Sequence, residues 1–246
     1  MLKLKHALTA AATTAAILFL LSPYANAASK GDDYQPPKTF QSACERQLSP
    51  GTVEVDFYAG PTRYDRSRSV AELTAMPAHG KIPGAVTLGL TESKVHLSLG
   101  WKGEMLVDAM TQLNCVRPRI SVSLQLPRQT VYLASGLQEN TCGYREVLAH
   151  EERHVAVNLA HARLVAQRLE EELKKAFGSR VFYAPQSELH RAINNSLERD
   201  WTIWAQDLLD EAGVHHRQID TEEELQRMSA VCEGELQPLL RSVRQQ

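Results

Sequence analysis

The chain has 246 residues, with 27 Lys and Arg against 29 Asp and Glu and a formal net charge of −2 at pH 7. This balanced charge, without a basic stripe along the sequence, argues against nucleic acid as a partner. A chain of this length can bury a substantial core in one large domain or two small ones. Its four cysteines form no CxxC pair, so they do not have the spacing of a zinc cluster.

The N-terminus, residues 1–27, has the three parts of a secretory signal peptide. Two lysines open it, residues 7–21 are apolar, and Ala25 and Ala27 are small residues at the positions that signal peptidase reads. We therefore expect cleavage after Ala27 and a mature chain in the periplasm or outside the cell. The apolar stretch is short for a membrane span, and no span is predicted in the mature chain.

The cysteines agree with export. An even number of cysteines in an oxidising compartment predicts two disulfides. All four follow the predicted cleavage site: Cys44, Cys115, Cys142 and Cys232. Three pairings are possible, and the sequence does not choose between them.

The mature chain is predicted to form one α+β domain. Residues 28–40 are polar, contain a Pro pair and indicate a flexible leader. The domain then covers residues 41–246, with a β-rich part over 41–140 and a helical part over 141–246. The expected architecture is therefore a β-rich N-terminal half, a long α-helical hairpin and a C-terminal helix.

Three segments of the β-rich part alternate apolar and polar residues, as strands do. The segment 52–60 predicts one strand. The segment 84–99 predicts two strands around a polar turn at 91–93. The segment 119–135 repeats this pattern with a bend at 126–129.

Two long helices are predicted in the second part. Residues 144–177 contain neither Pro nor Gly and carry apolar residues at three- and four-residue steps, with Thr141 as N-cap and Gly178 as the stop. A second helix is predicted over 187–212, with Gly213 as its stop. If the two are antiparallel, they form a helical hairpin.

A third helix is indicated by the spacing of Thr221 and Glu224, which is that of a capping box. We expect this helix to run past Cys232.

The first long helix contains an HExxH motif, formed by His150, Glu151 and His154. Residues four apart lie on one face of a helix, so the two histidines can bind one Zn²⁺ and leave two positions for a third ligand and a water. Zinc lowers the pKa of such a water to about 7. Glu151 is placed to accept the proton and to pass it to a leaving amine, which makes it the candidate general base.

An accidental HExxH is expected in on the order of one chain in a hundred of this length. The competing interpretation is an exposed amphipathic helix with scattered histidines. The long uninterrupted helix, the predicted export and the apolar residues that flank the motif favour the metal site.

The third ligand is expected from the returning helix. If the turn of the hairpin is centred near 182–183, the two histidines face the region around 211–215. The order of preference in this region is His215, then Glu211, then Asp210.

His161 lies on the same face as the motif, but about 10 Å along a straight helix from His154. It is therefore not expected to be a ligand, but to support the site, to line the cleft or to be part of the polar surface. No residue is assigned to stabilise an oxyanion, although His216 and Tyr144 are candidates.

The chain resembles a family of bacterial secreted proteins described as predicted zinc-dependent proteases of otherwise unknown function. That family has, after its return helix, an aspartate followed five residues later by a histidine, and Asp210 and His215 have this spacing here. The chain departs from the pattern at Gly213, where the family has Thr, and at His216, where it has Gly. The resemblance implies a zincin-like fold and peptide hydrolysis with Glu151 as general base.

The sequence thus predicts an exported zinc metallopeptidase with Zn²⁺ held by His150, His154 and His215, and with a peptide or protein as substrate. The alternative is a non-catalytic cell-envelope binding protein that retains the helical hairpin, with or without the metal. A third interpretation is a structural domain in which HExxH is accidental. The oligomeric state and the cleavage specificity are not predicted.

Overall fold

The structure is a computed structural model that describes residues 34–77 and 84–242. Its mixed α+β class confirms the predicted class. The predicted signal peptide lies outside the described residues. Helix α1 (Lys38–Gln47) begins inside the segment predicted as leader, and a short helix, α2 (Val70–Ala75), follows later in the chain. Within the described part of the chain, no helix combines the length and apolar character needed to cross a membrane.

Six strands form two three-stranded sheets. They are β1 (Val53–Ala59), β2 (Thr62–Asp65), β3 (Gly89–Ser93), β4 (His96–Lys102), β7 (Arg119–Leu126) and β8 (Gln129–Leu133). The first sheet has the order β1-β7-β4 and the second the order β2-β8-β3. In each sheet the central strand pairs parallel to one neighbour and antiparallel to the other.

Each strand of the first sheet is followed or preceded in the chain by a strand of the second, across a short bend. At one bend Gly60 donates its N–H to the carbonyl of Leu126 over 2.9 Å. A Cβ at Gly60 would lie 1.9 Å from the carbonyl oxygen of Pro127, so only glycine is compatible with this approach. The bend at 126–129 is confirmed. The turn predicted at 91–93 is wrong, because these residues belong to β3.

A third sheet joins two strands that are close in the chain to one that follows the long helix. It consists of β5 (Met105–Val107), β6 (Asn114–Val116) and β9 (Phe182–Ala184), in the order β5-β6-β9. The disulfide Cys44–Cys115 ties α1 to β6, with 6.3 Å between the Cα atoms. The prediction of two disulfides is confirmed, since Cys142 pairs with Cys232.

The long helix α3 (Cys142–Phe177) confirms the predicted one. Thr141 is its N-cap and accepts a hydrogen bond from the backbone N–H of Tyr144 at 3.2 Å. Its apolar residues at helical spacing pack on the first sheet and on the returning helices. Those buried in this core are Ala162, Val165, Ala166, Leu169, Leu173 and Phe177.

The returning segment is not one uniform helix. It comprises α4 (Gln186–Asn195), a π-helical turn (Ser196–Trp201), α5 (Thr202–Asp210) and α6 (Ala212–Ile219). The prediction that Gly213 ends this segment is wrong, because Gly213 lies inside α6. The helical path therefore continues about two turns further than expected.

The C-terminal part contains α7 (Glu222–Ala230) and α8 (Gln237–Ser242), joined across a 3₁₀ turn that begins at Cys232. The prediction that one helix runs past Cys232 is wrong: Val231 is extended, with φ −62° and ψ 155°. The disulfide Cys142–Cys232 joins the first residue of α3 to the residue after this break, with 5.7 Å between the Cα atoms.

Candidate metal centre

Three side chains converge on one point beside α3. The Nε2 atoms of His150 and His154 are 3.2 Å apart. The Oδ1 atom of Asp220 lies 3.0 Å from each of them. The histidines come from successive turns of one face of α3, and the aspartate follows the last residue of α6.

These distances fit a divalent metal ion. Two ligands of a tetrahedral zinc ion with bonds of about 2.0–2.1 Å lie ~3.3 Å from each other, close to the separations found here. The donor set of two imidazoles and one carboxylate is one that zinc accepts in catalytic sites, with a fourth position left open. His150, His154 and Asp220 would therefore hold the ion.

Asp220 reaches the histidines because of the turn between two short helices. It is the C-cap of α6, and its backbone N–H donates to the carbonyl of His216 over 3.0 Å. Thr221 follows as the N-cap of α7 and accepts the backbone N–H of Glu224 at 3.1 Å. A cap at each side thus holds the aspartate in place.

The three residues predicted as candidates for the third ligand lie elsewhere. The ring of His215 is exposed and faces His161, with 5.9 Å between the ring centroids. Asp210 is exposed and accepts a hydrogen bond from Gln206. Glu211 is also exposed, between α5 and α6. The structure brings none of them to His150 and His154.

Glu151 lies next to the cluster and is almost fully buried, with 3% of its surface exposed. Its Oε2 atom accepts a hydrogen bond from the hydroxyl of Thr91 at 2.8 Å. Burial raises the pKa of Glu151, against the opposite effect of His150 and His154. The carboxylate therefore has a fixed orientation and an increased proton affinity.

Strand β3 approaches this carboxylate at Gly89. A Cβ at that position would lie 2.6 Å from Oε1 of Glu151. Only glycine leaves room for the carboxylate between α3 and β3. Thr91 and Gly89 were not singled out by the sequence analysis, because neither belongs to a motif.

A carboxylate stands behind His150. Oε1 of Glu224 lies 3.2 Å from Nδ1 of His150, and Arg153 Nη2 donates to the same carboxylate oxygen. Metal binding through Nε2 leaves the proton on Nδ1, which then donates to Glu224. Hydrogen bonds from Arg227, with smaller contributions from His150 and Arg153, lower the pKa of Glu224 to about 2, so the acceptor stays ionised.

The substitution Glu224→Gln is expected to weaken zinc binding by about 10–100-fold, the usual effect of removing a carboxylate that orients a ligating histidine. It keeps the shape of the side chain but removes the charge that holds the Nδ1 proton. The measurement is competition with a zinc-chelating dye. Glu222→Gln is the matched control, because Glu222 is exposed in the same first turn of α7. Equal affinities of the two variants would contradict the role of Glu224.

A second chain of polar groups stands behind His154. Its Nδ1 atom lies 2.8 Å from Nδ1 of His216, whose Nε2 lies 2.9 Å from Oδ1 of Asn158. The amide of Asn158 donates to Oε1 of Gln129 at 3.1 Å. If His154 binds metal through Nε2, its Nδ1–H donates to a neutral His216, which in turn donates to Asn158.

Burial, with a smaller effect of His154, lowers the pKa of His216 to about 4, in agreement with a neutral ring in this chain. His216, a candidate for oxyanion stabilisation, thus lies behind a candidate ligand. Tyr144, the other candidate, lies at the start of α3. The guanidinium carbon of Arg66 is 5.4 Å from the centroid of its ring.

The charges of the cluster are mutually dependent. Burial lowers the pKa of His150, but Asp220, Glu151 and Glu224 outweigh this effect and raise it overall. Burial acts against ionisation of Asp220, but hydrogen bonds from His150 and His154 lower its pKa well below the usual range. The carboxylate is therefore negative at neutral pH and available to a cation.

The cluster opens into a cleft of about 790 Å³ that runs along α3. The three candidate ligands and Glu151 line it, and strand β3 forms one wall. His161 lies further along the same cleft and is hydrogen-bonded through Nε2 to the carbonyl of Leu208 at 2.6 Å. Of the alternatives predicted for His161, the cleft is the one observed, and the side chain is buried and not part of the surface.

Searches with protein-family profiles, among characterised proteins and among solved structures each found no match to this chain.

Proposed function

We propose that the protein is an exported, zinc-dependent metallopeptidase with a zincin-like arrangement of helix and sheet. Zn²⁺ is held by His150, His154 and Asp220, and Glu151 is the general base. Asp220 takes the place that the sequence analysis gave to His215. The single observation that carries the proposal is the convergence of these three donor atoms beside a buried carboxylate in one open cleft.

Zinc bound at this point would supply a Lewis acid that polarises a carbonyl and makes water more acidic. The protein supplies the proton transfers. Glu151 is held by Thr91 and has a raised pKa, so it is suited to accept a proton from water and to give it to the leaving amine.

The dimensions of the cleft favour a peptide as the substrate. Both Val147 and Ala162 of α3 line the cleft, and at 1.5 Å per residue they are ~22 Å apart along the helix axis. An extended peptide rises about 3.3 Å per residue, so about seven residues fit this length.

Strand β3 offers a template for such a peptide. It pairs with β8 along one edge and ends the sheet order β2-β8-β3. All five of its residues, Gly89–Ser93, line the cleft. Among residues 34–77 and 84–242, no strand pairs with its other edge. The backbone groups along that edge can bind an extended substrate as an additional strand, independently of its side chains.

The test is chelator-sensitive hydrolysis by the disulfide-bonded chain. We expect one zinc per chain by elemental analysis and cleavage of a mixed peptide library detected by mass spectrometry. Removal of zinc with a chelator should abolish cleavage, and stoichiometric zinc should restore it.

The other outcomes separate the alternatives. Stoichiometric zinc without hydrolysis of any peptide would contradict the peptidase and favour a non-catalytic binding protein of the cell envelope. Absence of zinc from the folded, oxidised chain would contradict both and leave HExxH as an accidental motif.

A further inference from the structure

The two ends of the cleft differ in chemistry. Beyond His150, on the side of the N-terminus of α3, the walls are apolar. The side chains that line this end come from β3, α3, α7, α8 and the residue before β3: Leu88, Leu90, Val147, Leu225, Met228 and Leu240. Several also belong to one apolar cluster with the core around β8, so the surface is backed by packed side chains. We name these six residues the apolar subsite.

The position of the apolar subsite relative to the metal follows from α3 and α7. Val147 is one turn before His150 and Glu151, and it is buried. Leu225 follows Glu224, whose carboxylate contacts Nδ1 of His150. The subsite therefore begins directly beside His150.

Beyond His154 the cleft lining combines polar side chains with small and apolar ones, such as Ala162 and Leu209. Its lining there includes Asn158 and His161 of α3 together with Gln206 and Asp210 of α5. Side-chain amides and an imidazole in this half suit a polar peptide backbone and hydrophilic side chains. The two halves thus discriminate between the two sides of a bound peptide.

The direction of β3 relates these halves to the direction of a substrate. Its first residue, Gly89, lies against Glu151. Its last residue, Ser93, pairs with Gln129, which binds Asn158. Strand β3 therefore runs from the apolar half to the polar half.

A peptide that adds to β3 in the antiparallel sense, the more stable pairing, runs the opposite way. Its N-terminal residues then lie in the polar half and its C-terminal residues in the apolar half, with the metal between them.

We propose that the enzyme selects peptides with a large apolar side chain directly after the scissile bond, and that the apolar subsite binds this side chain. This inference rests on the proposed peptidase function and adds its substrate class. Leu, Ile, Met and Phe at this position remove apolar surface of both partners from water, which charged or small residues do not.

The first test is the sequence of the cleavage sites. The wild-type, zinc-loaded chain is incubated with a peptide library, and the new termini are identified by mass spectrometry. We expect large apolar residues to be enriched several-fold directly after the cleaved bond. Hydrolysis without such enrichment, or with enrichment before the bond, would overturn the inference and leave the peptidase function intact.

The second test measures binding without turnover. Two hydroxamates that mimic the C-terminal half of a substrate differ only in an isobutyl group or a hydrogen at the first residue. We expect the isobutyl compound to bind the zinc-loaded protein at least about tenfold more tightly, the effect of burying most of a leucine side chain. Equal affinities would overturn the inference.

A matched pair of variants locates the effect. Leu225 and Leu164 are both exposed helical leucines, at 37% and 42%, but only Leu225 lines the cleft. Leu225→Lys is expected to reduce the preference for the isobutyl compound at least about threefold, whereas Leu164→Lys leaves it within about twofold. A loss of the preference in both variants, or in neither, contradicts the assignment of the subsite. Selective binding by a protein that hydrolyses no peptide would contradict the peptidase function but not the subsite.

Discussion

The Glu151→Gln variant is expected to hydrolyse peptides about 10²–10⁴-fold more slowly than the wild type while it retains its zinc. Glutamine keeps the size of the side chain and can still accept the hydrogen bond from Thr91, but it has no carboxylate to take up a proton. Initial rates of hydrolysis, with zinc measured in the same samples, test this expectation.

Glu152→Gln is the matched control, because Glu152 is the next residue of α3 and is exposed. Its rate should stay within about twofold of wild type, as is usual for surface substitutions. Full activity of Glu151→Gln would remove Glu151 from the mechanism. Loss of zinc from that variant would show that the carboxylate supports the metal site and not the proton transfer.

The Asp220→Ala variant is expected to bind zinc more than ~100-fold more weakly, since loss of a ligand should exceed the effect of losing a residue that only orients one. We expect this loss because Oδ1 of Asp220 is the third candidate ligand atom, 3.0 Å from the Nε2 atoms of both histidines. Chelator competition measures the affinity, and far-ultraviolet circular dichroism with thiol titration checks that the fold and the disulfides are intact.

His215→Ala is the decisive comparison for this prediction. His215 is exposed and faces His161, so its loss should change zinc affinity by about twofold or less. A larger effect of His215→Ala than of Asp220→Ala would restore His215 as the ligand. It would also mean that the turn between α6 and α7 moves when zinc binds.

The part of the site that sequence reasoning could find is the part that one helix holds. His150 and His154 share a face of α3 because they are four residues apart, and this depends only on helix geometry. The absence of Gly and Pro over residues 144–177 made that helix predictable, and the structure confirms it. The two histidine nitrogens and Glu151 therefore required no knowledge of the tertiary structure.

The residue opposite His150 depends on the register of the hairpin, which sequence spacing does not determine. A turn centred near 182–183 predicted that His150 faces His215. In the structure His150 faces Asp220, and the midpoint between these two positions is residue 185. The loop between the helices is close to the predicted one, because α3 ends at Phe177 and α4 begins at Gln186. The returning segment is instead interrupted by the π-helical turn Ser196–Trp201 and by the break between α5 and α6, and Asp220 lies beyond the last residue of α6. These irregular turns thus moved the partner by five residues.

Local signals also had meanings that only the tertiary structure shows. Gly213 is a typical helix stop but lies inside α6, which allows the chain to reach Asp220. Thr221 caps α7 as the capping-box spacing predicts. The carboxylate of Glu224, however, turns to His150 and Arg227. Glu224 thus does not complete the capping box but supports the candidate metal site through His150.

The disulfide Cys142–Cys232 has a consequence for when the protein becomes competent to bind metal. It closes a loop of 90 residues around the whole candidate centre, which removes roughly 4–5 kcal/mol of conformational freedom from the unfolded chain. Before the thiols are oxidised, only non-covalent contacts keep the segment with Asp220 and Glu224 against α3. A newly made, reduced polypeptide would thus hold zinc loosely, and maturation of the centre would be coupled to oxidative folding. The reducing interior of the cell that synthesises the protein would thus keep the proposed peptidase inactive until export.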